Sequence, residues 1–185
     1  KIKDDFVERM IGTIFSFYGE DPMKSPDYAR IVNERHLNRL VNLMKNGRIL
    51  YGGKYLSKDL YLSPTIIDQV SPDEPLMQEE IFGPLLPLIE YDDIDEAITF
   101  VNQRPQPLAL YCFSENSDIQ DKALRETSSG GGCINDTISH IGSQALPFGG
   151  VGDSGMGAYH GKASFDTFSH QRGILFRSNL VDRKS

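Results

Sequence analysis

The chain has 185 residues, 39% of them hydrophobic and 24% charged, with a formal net charge of −7. This composition excludes a disordered chain, and the acidic balance argues against nucleic acid or an anionic membrane surface as the main partner, since both select for clustered Lys and Arg. No apolar run approaches the roughly 20 residues of a membrane span, no signal peptide is visible, and two cysteines, Cys112 and Cys133, are too few for a disulfide framework, so a reduced, cytoplasmic setting is expected.

The chain opens KIKDDFVERMIGTIFSFYGEDP, where Ile2, Phe6, Met10, Ile14 and Phe17 recur at helical steps with no capping residue before them. It is therefore expected to be a segment of a longer polypeptide. Ser25-Pro26 reads as an N-cap and first helical position, opening a helix to about Asn46 that Gly47 stops. Strands are expected at 49–53, 61–67 and 85–91. Asp93 caps the next helix, with Glu96 in capping-box position. A strand at 108–114, a helix from Asn116 or Ser117 to Thr127 and a strand at 132–136 follow. The β-α-β-α-β order from 85 to 136 predicts an α/β fold, a parallel sheet with crossover helices whose apolar strands are covered on both faces. About 25 irregular residues rich in Gly, Ser and His come next, a pattern more often functional than decorative. A short helix near 161–168 and a strand at 173–178 end the chain.

Gly150, Gly152 and Gly155 spell G-x-G-x-x-G. A dinucleotide turn needs a strand before it, a helix at once after it and an acidic residue about 20 positions on. GSQALPF precedes it and no β-α-β unit follows, so these glycines read as a sharp, closely packed backbone turn. Gly161-Lys162 resembles the end of a phosphate-binding loop, but Met156 and Ala163 stand where Gly and Ser or Thr are needed. The histidines His36, His140, His160 and His170 show no metal-ligand spacing; His36 reads as a surface or packing residue, and the last three flank the glycine loop, where the alternative to an ordinary structural role is a place for one of them in a substrate pocket. Cys112 and Cys133 read as inert core cysteines. In MQEEIFGPLLP (77–87), the bland reading is a solvated acidic turn. The sharper one is that Glu80 accepts hydrogen bonds from a vicinal diol such as a ribose, with the Phe82 ring packing on a flat heterocycle.

MQEEIFGPLLP, PLALYCFS, ETSSGG and LPFGGVGDSGMGAYHGKASFDTFSHQR, together with FYGEDPMKSPDYARIVNERH near the start, resemble in order the C-terminal part of an aldehyde dehydrogenase, specifically the class 3 group that includes the fatty aldehyde dehydrogenases. The resemblance implies oxidation of an aldehyde to a carboxylic acid with NAD or NADP. A cysteine thiolate attacks the carbonyl, hydride passes to the nicotinamide, and a glutamate activates water against the thioester. That nucleophile, in a Gly-Gln-x-Cys setting, the general base and the coenzyme domain lie upstream of this segment in the family. Neither cysteine here matches the nucleophile's motif, so the segment alone is expected to be inactive. Residues 1–150 are then part of the catalytic domain, and 151–185 a return loop, a short helix and an oligomerisation strand. Glu80 matches the glutamate on the nicotinamide ribose and Phe82 the aromatic that places the ring. Ile138, Ile141, Gly142 and Phe148 match the stretch lining the aldehyde pocket, which favours a hydrophobic aldehyde. His160 matches a histidine near that pocket, with no assigned chemistry. The terminal strand implies a homodimer, and a membrane tail beyond Ser185 is left open. The competing reading is a truncated, non-catalytic paralogue serving as a dimerisation or scaffold piece.

Overall fold

The computed structural model describes residues 2–178. The chain divides into two compact units, Lys1–Glu90 and Tyr91–Ser185. Residues 151–178 thus fall in one unit with 91–150.

In the first unit, α1 (Lys3–Tyr18) ends on Gly19, whose φ of 76° lets its N–H reach the Phe15 carbonyl at 2.8 Å. The expected helix from Pro26 begins later, as α2 (Glu34–Leu43), where the Asn33 side chain accepts from the His36 amide at 2.9 Å. Two long-range bonds and one local one hold the stretch before it out of a helix. The Ile31 N–H is bonded to the Leu60 carbonyl at 2.9 Å, the Tyr28 hydroxyl donates to the Leu62 carbonyl at 2.7 Å, and Arg30 donates to the Tyr28 carbonyl at 2.8 Å. Strand β4 (Thr65–Asp68) lies between β1 (Arg48–Tyr51), antiparallel, and β5 (Leu85–Pro87), parallel. All four β4 residues are buried. Between β1 and β4, β2 (Tyr55–Leu56) and β3 (Tyr61–Leu62) form a small antiparallel pair. The four-residue helix α3 (Pro75–Gln78), which the sequence pattern does not announce, drives Leu76 into the core. That core joins Leu37, Leu40, Leu43 and Met44 of α2 and its C-terminus to Leu62, Ile67, Val70, Leu76 and Leu85. Beneath it, buried Asp68 accepts from Lys3 at 3.1 Å and Arg48 at 2.8 Å.

In the second unit, Asp93 caps α4 (Ile94–Asn102) through the Asp95 amide at 2.9 Å; Glu96 closes back on the Asp92 amide, one residue earlier than a capping box on Asp93 requires. Strands β6 (Ala109–Cys112) and β7 (Gly131–Ile134) pair in parallel, joined by α5 (Ser117–Glu126) with Asn116 as its cap. The crossover unit is therefore present. The continuous layer expected from 85 to 136 is not: β5 belongs to the sheet with β1 and β4, and β6–β7 form a separate two-stranded sheet. No residue of β6 or β7 is fully buried, against the expectation of covered faces, because Gly131 and Gly132 bring no side chains and only two strands pair. Short helices α6 (Ser139–Gly142) and α7 (Gly161–Thr167) flank the glycine loop.

The expected strand at 173–178 is not formed. A strand exists only through pairing, and among the described residues 171–178 find no partner strand; Leu175 and Phe176 are about nine-tenths exposed. The remainder of the proposed arm, 179–185, lies outside the described residues. No helix among the described residues is long and apolar enough to cross a membrane.

Candidate functional site

Two groups of residues stand out, one in each unit. In the first, the chain leaves α3 and turns sharply into β5 through Glu79, Glu80, Ile81, Phe82 and Gly83. Leu76 anchors the start of this turn and Leu85 its end, both in the core. Gly83 sits so close to α2 that a Cβ there would lie 2.6 Å from the Leu40 methyls. Arg39, on α2, holds the middle: its guanidinium donates to the Glu80 carbonyl at 3.3 Å and the Ile81 carbonyl at 2.5 Å, and it pairs with the Glu79 carboxylate at 3.4 Å. Phe82 follows with φ of 47°, a left-handed conformation that is a genuine outlier for a bulky residue. The residue is 81% exposed, and Glu80 is exposed as well. The two residues matched to coenzyme contacts thus share one strained turn, with their side chains presented to solvent.

The second group surrounds the glycine loop. Phe148 and Tyr159 form an antiparallel bridge, N–H to carbonyl at 2.9 and 3.0 Å in the two directions. The loop between them is folded inward by a 3-10 turn at Gly152–Ser154, where the Ser154 hydroxyl both accepts from the Val151 amide and donates to its carbonyl, each at 2.9 Å. A Cβ on Gly149 would stand 2.0 Å from the Gly157 carbonyl oxygen, and one on Gly150 2.1 Å from that of Ser154. Within the G-x-G-x-x-G stretch, Gly150 thus packs on backbone, while Gly152 turns with φ of 59° against the Gln106 side chain.

Phe148 lies in an aromatic cluster, its ring centroid 5.6 Å from Tyr159, 6.1 Å from His160 and 6.1 Å from His140; Tyr111 of β6 meets His140 edge-on at 5.8 Å. His140 is buried, with Nδ1 3.4 Å from the Cys133 sulfur and Nε2 without a hydrogen-bond partner among the described residues. The sequence singles out this histidine only as one of three near the loop; the cysteine beside it, seven residues away across the β7–α6 turn, was read as inert core and is only half-buried. Ile138 immediately precedes α6 with φ of 60° and is 64% exposed. Ile141 is half-buried, and a Cβ on Gly142 meets no heavy atom within 4 Å, so this position faces open space. The Asp136 carboxyl is held below the usual carboxylate range by hydrogen bonds from the Ser139 side chain and the Thr137 amide, which fixes the turn that carries Ile138. His160 stacks beside Phe148, whereas His170 is exposed. No group of three potential metal ligands occurs among the described residues.

Residues 1–174 match the sequence profile of the Aldehyde dehydrogenase family. The chain is 48% identical over 183 residues to the 4,4'-diaponeurosporen-aldehyde dehydrogenase of Staphylococcus aureus, covering 98% of this chain and 40% of that protein. It is 51% identical over 177 residues to the mouse "aldehyde dehydrogenase, dimeric NADP-preferring", covering 96% of this chain and 39% of that one. The Staphylococcus aureus AldH solved in its substrate-bound state superposes with a TM-score of 0.92 at 48% identity, over 98% of this chain and 40% of that structure. An indole-3-acetaldehyde dehydrogenase in complex with NAD+ superposes at 0.77 with 29% identity, over 90% of this chain and 35% of that structure. The chain thus spans about 40% of the length of these relatives, and with a family match across most of its own length it belongs to the aldehyde dehydrogenase family, within the class 3 group.

Proposed function

We propose that this chain is the C-terminal part of an NAD(P)+-dependent aldehyde dehydrogenase that oxidises hydrophobic aldehydes to carboxylic acids through a cysteine thioester. The observation that carries the reading is the identity of about half the residues, over nearly the whole chain, with class 3 enzymes. In this reading the nucleophile, the general base and the coenzyme domain come from a preceding segment, so the chain by itself has no dehydrogenase activity. Residues 1–150 complete the catalytic domain and 151–185 the return loop and arm.

The residues present fit a nicotinamide coenzyme. The Glu80 carboxylate is an exposed acceptor suited to the two hydroxyls of a ribose, and the exposed Phe82 ring offers an apolar face beside it. When bound, the coenzyme supplies the hydride acceptor that the oxidation needs. Ile138, Ile141 and Phe148 provide apolar surface for the aldehyde's tail, and Gly142 leaves room for it. The exposed apolar residues Ile174, Leu175 and Phe176 suit an arm that gains its partner strand from a second subunit of a homodimer. A cytoplasmic location is supported by the two free thiols.

The test uses the full-length protein. Aliphatic and aromatic aldehydes with NAD+ or NADP+ should yield reduced coenzyme, and Glu80→Gln should slow single-turnover hydride transfer by about tenfold or more through a misplaced nicotinamide. Unchanged transfer removes the role of Glu80; no coenzyme reduction with any aldehyde removes the proposed activity.

A further inference from the structure

We propose that Arg39 is a positioning residue for coenzyme: it holds the backbone from which Glu80 and Phe82 project. The inference rests on the proposed function above.

In the turn from Glu79 to Gly83 the half-buried Ile81 side chain packs against the core, and its carbonyl and that of Glu80 are held by Arg39. Leu76 and Leu85 are buried at its two ends, but Glu80 and Phe82 are exposed, and the left-handed φ of 47° at Phe82 is a conformation that a free chain abandons. Strain of this kind persists only where surrounding contacts over-determine it. Here the contacts are the close seating of Gly83 on Leu40, the packing of Ile81 on the core and the fork of Arg39 on two consecutive carbonyls, the only one of the three made by a side chain to the turn's own backbone polar groups. Leu40 and Arg39 are neighbours on α2, so a single helical turn supplies both. Arg39 suits this task for a specific reason. Its planar guanidinium presents parallel N–H donors that meet the carbonyls of Glu80 and Ile81 together, with the Glu79 carboxylate balancing the charge at 3.4 Å. A lysine ammonium is a point donor and holds one carbonyl well, not both. The Arg39 guanidinium bonds the Glu80 and Ile81 backbone carbonyls and the Glu79 carboxylate. It acts on the direction in which the Glu80 and Phe82 side chains point.

The experiment compares Arg39→Ala, Arg39→Lys and Arg35→Ala in the full-length protein. Arg35, one turn earlier on α2, is an exposed cation and controls for loss of charge. NAD+ and NADP+ affinities are measured by calorimetry without aldehyde, amide hydrogen exchange across 79–83 without coenzyme, and kcat, both KM values and the deuterium isotope effect from a 1-deuterated aldehyde under turnover. Arg39→Ala should weaken coenzyme about tenfold, lower kcat by about 10- to 100-fold with a larger isotope effect, and speed exchange at 79–83, while the aldehyde KM stays within about twofold. Arg39→Lys should fall between wild type and Arg39→Ala, and Arg35→Ala should match wild type. An active wild type whose coenzyme affinity and exchange are unchanged by Arg39→Ala overturns the inference alone. So does an equal effect of Arg35→Ala, or a parallel loss of aldehyde and coenzyme affinity with a lowered melting temperature. A wild type that neither binds nor reduces coenzyme overturns the proposed function, and the inference with it.

Discussion

Gly149 and Gly157 face each other across the Phe148–Tyr159 bridge and separate two costs that glycine usually combines. Gly157 has φ of 76° but open space around a hypothetical Cβ. Alanine there bears only the left-handed penalty, about 1–2 kcal/mol. Gly149 is the reverse. Its φ lies outside the left-handed range, but a Cβ would stand 2.0 Å from the Gly157 carbonyl oxygen and 2.9 Å from the Ala158 Cα. Both are backbone atoms, so relief requires the two segments to part by about 1 Å, an overpacking cost of about 1–3 kcal/mol. Parting also breaks the two bridge hydrogen bonds at 2.9 and 3.0 Å, each contributing about 1 kcal/mol. Gly149→Ala should therefore cost about 3–5 kcal/mol, clearly more than Gly157→Ala. Chemical denaturation of the full-length protein measures the difference, and hydrogen exchange at the Phe148 and Tyr159 amides localises it. Because Phe148 is the first residue of the bridge, the aldehyde KM should rise while coenzyme affinity stays within about twofold. Equal costs for the two substitutions would refute the steric argument. A selective loss of coenzyme affinity would count against the reading of this loop as backbone packing beside the aldehyde pocket.

The other predictions concern the first unit. Burial alone would raise the Asp68 carboxyl, but hydrogen bonds from Arg48, the Gln69 amide and Lys3 outweigh it and hold the group below its ordinary value of 3.8. A depressed folded value means that the stabilisation is complete above the ordinary value and is lost as pH falls through the folded one. Asp68→Asn should cost about 1–2 kcal/mol at neutral pH, since Lys3 keeps its pair with Glu90 and the Arg48 side chain is half exposed, and should flatten the acid limb of a urea-unfolding series; a variant that keeps the wild-type acid limb contradicts this. Phe82→Gly removes the left-handed strain but adds backbone entropy, terms of about 1 kcal/mol each, so stability should hold within about 1 kcal/mol although an aromatic ring is deleted. Coenzyme affinity should nonetheless fall about three- to tenfold, as titration of the variant checks.

Features set by neighbouring residues were legible in the sequence. Asp93 and Asn116 begin helices because the cap and the amides it satisfies lie within three residues. The parallel β6–β7 pair follows from a strand, a crossover helix and a strand in sequence. The start of α2 was misread for the opposite reason. Ser25-Pro26 has local helix-opening chemistry, and its hydroxyl does accept from the Asp27 amide at 3.4 Å, but Leu60 and Leu62, more than two dozen residues on, capture the backbone and side chains that a helix would use. The apolar run at 173–178 carries strand propensity without a partner to pair with. At the candidate site, Glu80 and Phe82 are suggested by their chemistry and matched to the coenzyme through the family motif, whereas Arg39 is invisible: it precedes the carbonyls it holds by 41 and 42 residues, and an arginine on a helix face announces nothing about its acceptor.

Backbone strain offers a view of the site that does not depend on the motif. Six described residues other than glycine have positive φ: Leu60, Gln69, Phe82, Asn135, Ile138 and His160. Asn tolerates this region through local side-chain hydrogen bonds, and Asn135 makes them, accepting from the Ser114 amide at 2.8 Å and donating to the Ser114 carbonyl at 2.9 Å. Leu60 is half-buried, so its packing repays the conformation. Phe82 and Ile138 have neither compensation. Each is a large apolar residue, one β-branched, in a conformation that costs about 1–2 kcal/mol, with 81% and 64% of its surface exposed. A fold selected for stability alone would place glycine or asparagine at both positions. Bulky side chains held there against local preference are what a surface shaped in advance for a ligand requires. The two residues are also those matched, on separate grounds, to the nicotinamide and to the aldehyde. The same reasoning sets a test of its own: glycine at either position should leave folding nearly unaffected and weaken only the ligand assigned to it, and a variant that destabilises the chain without affecting binding would assign the strain to the fold.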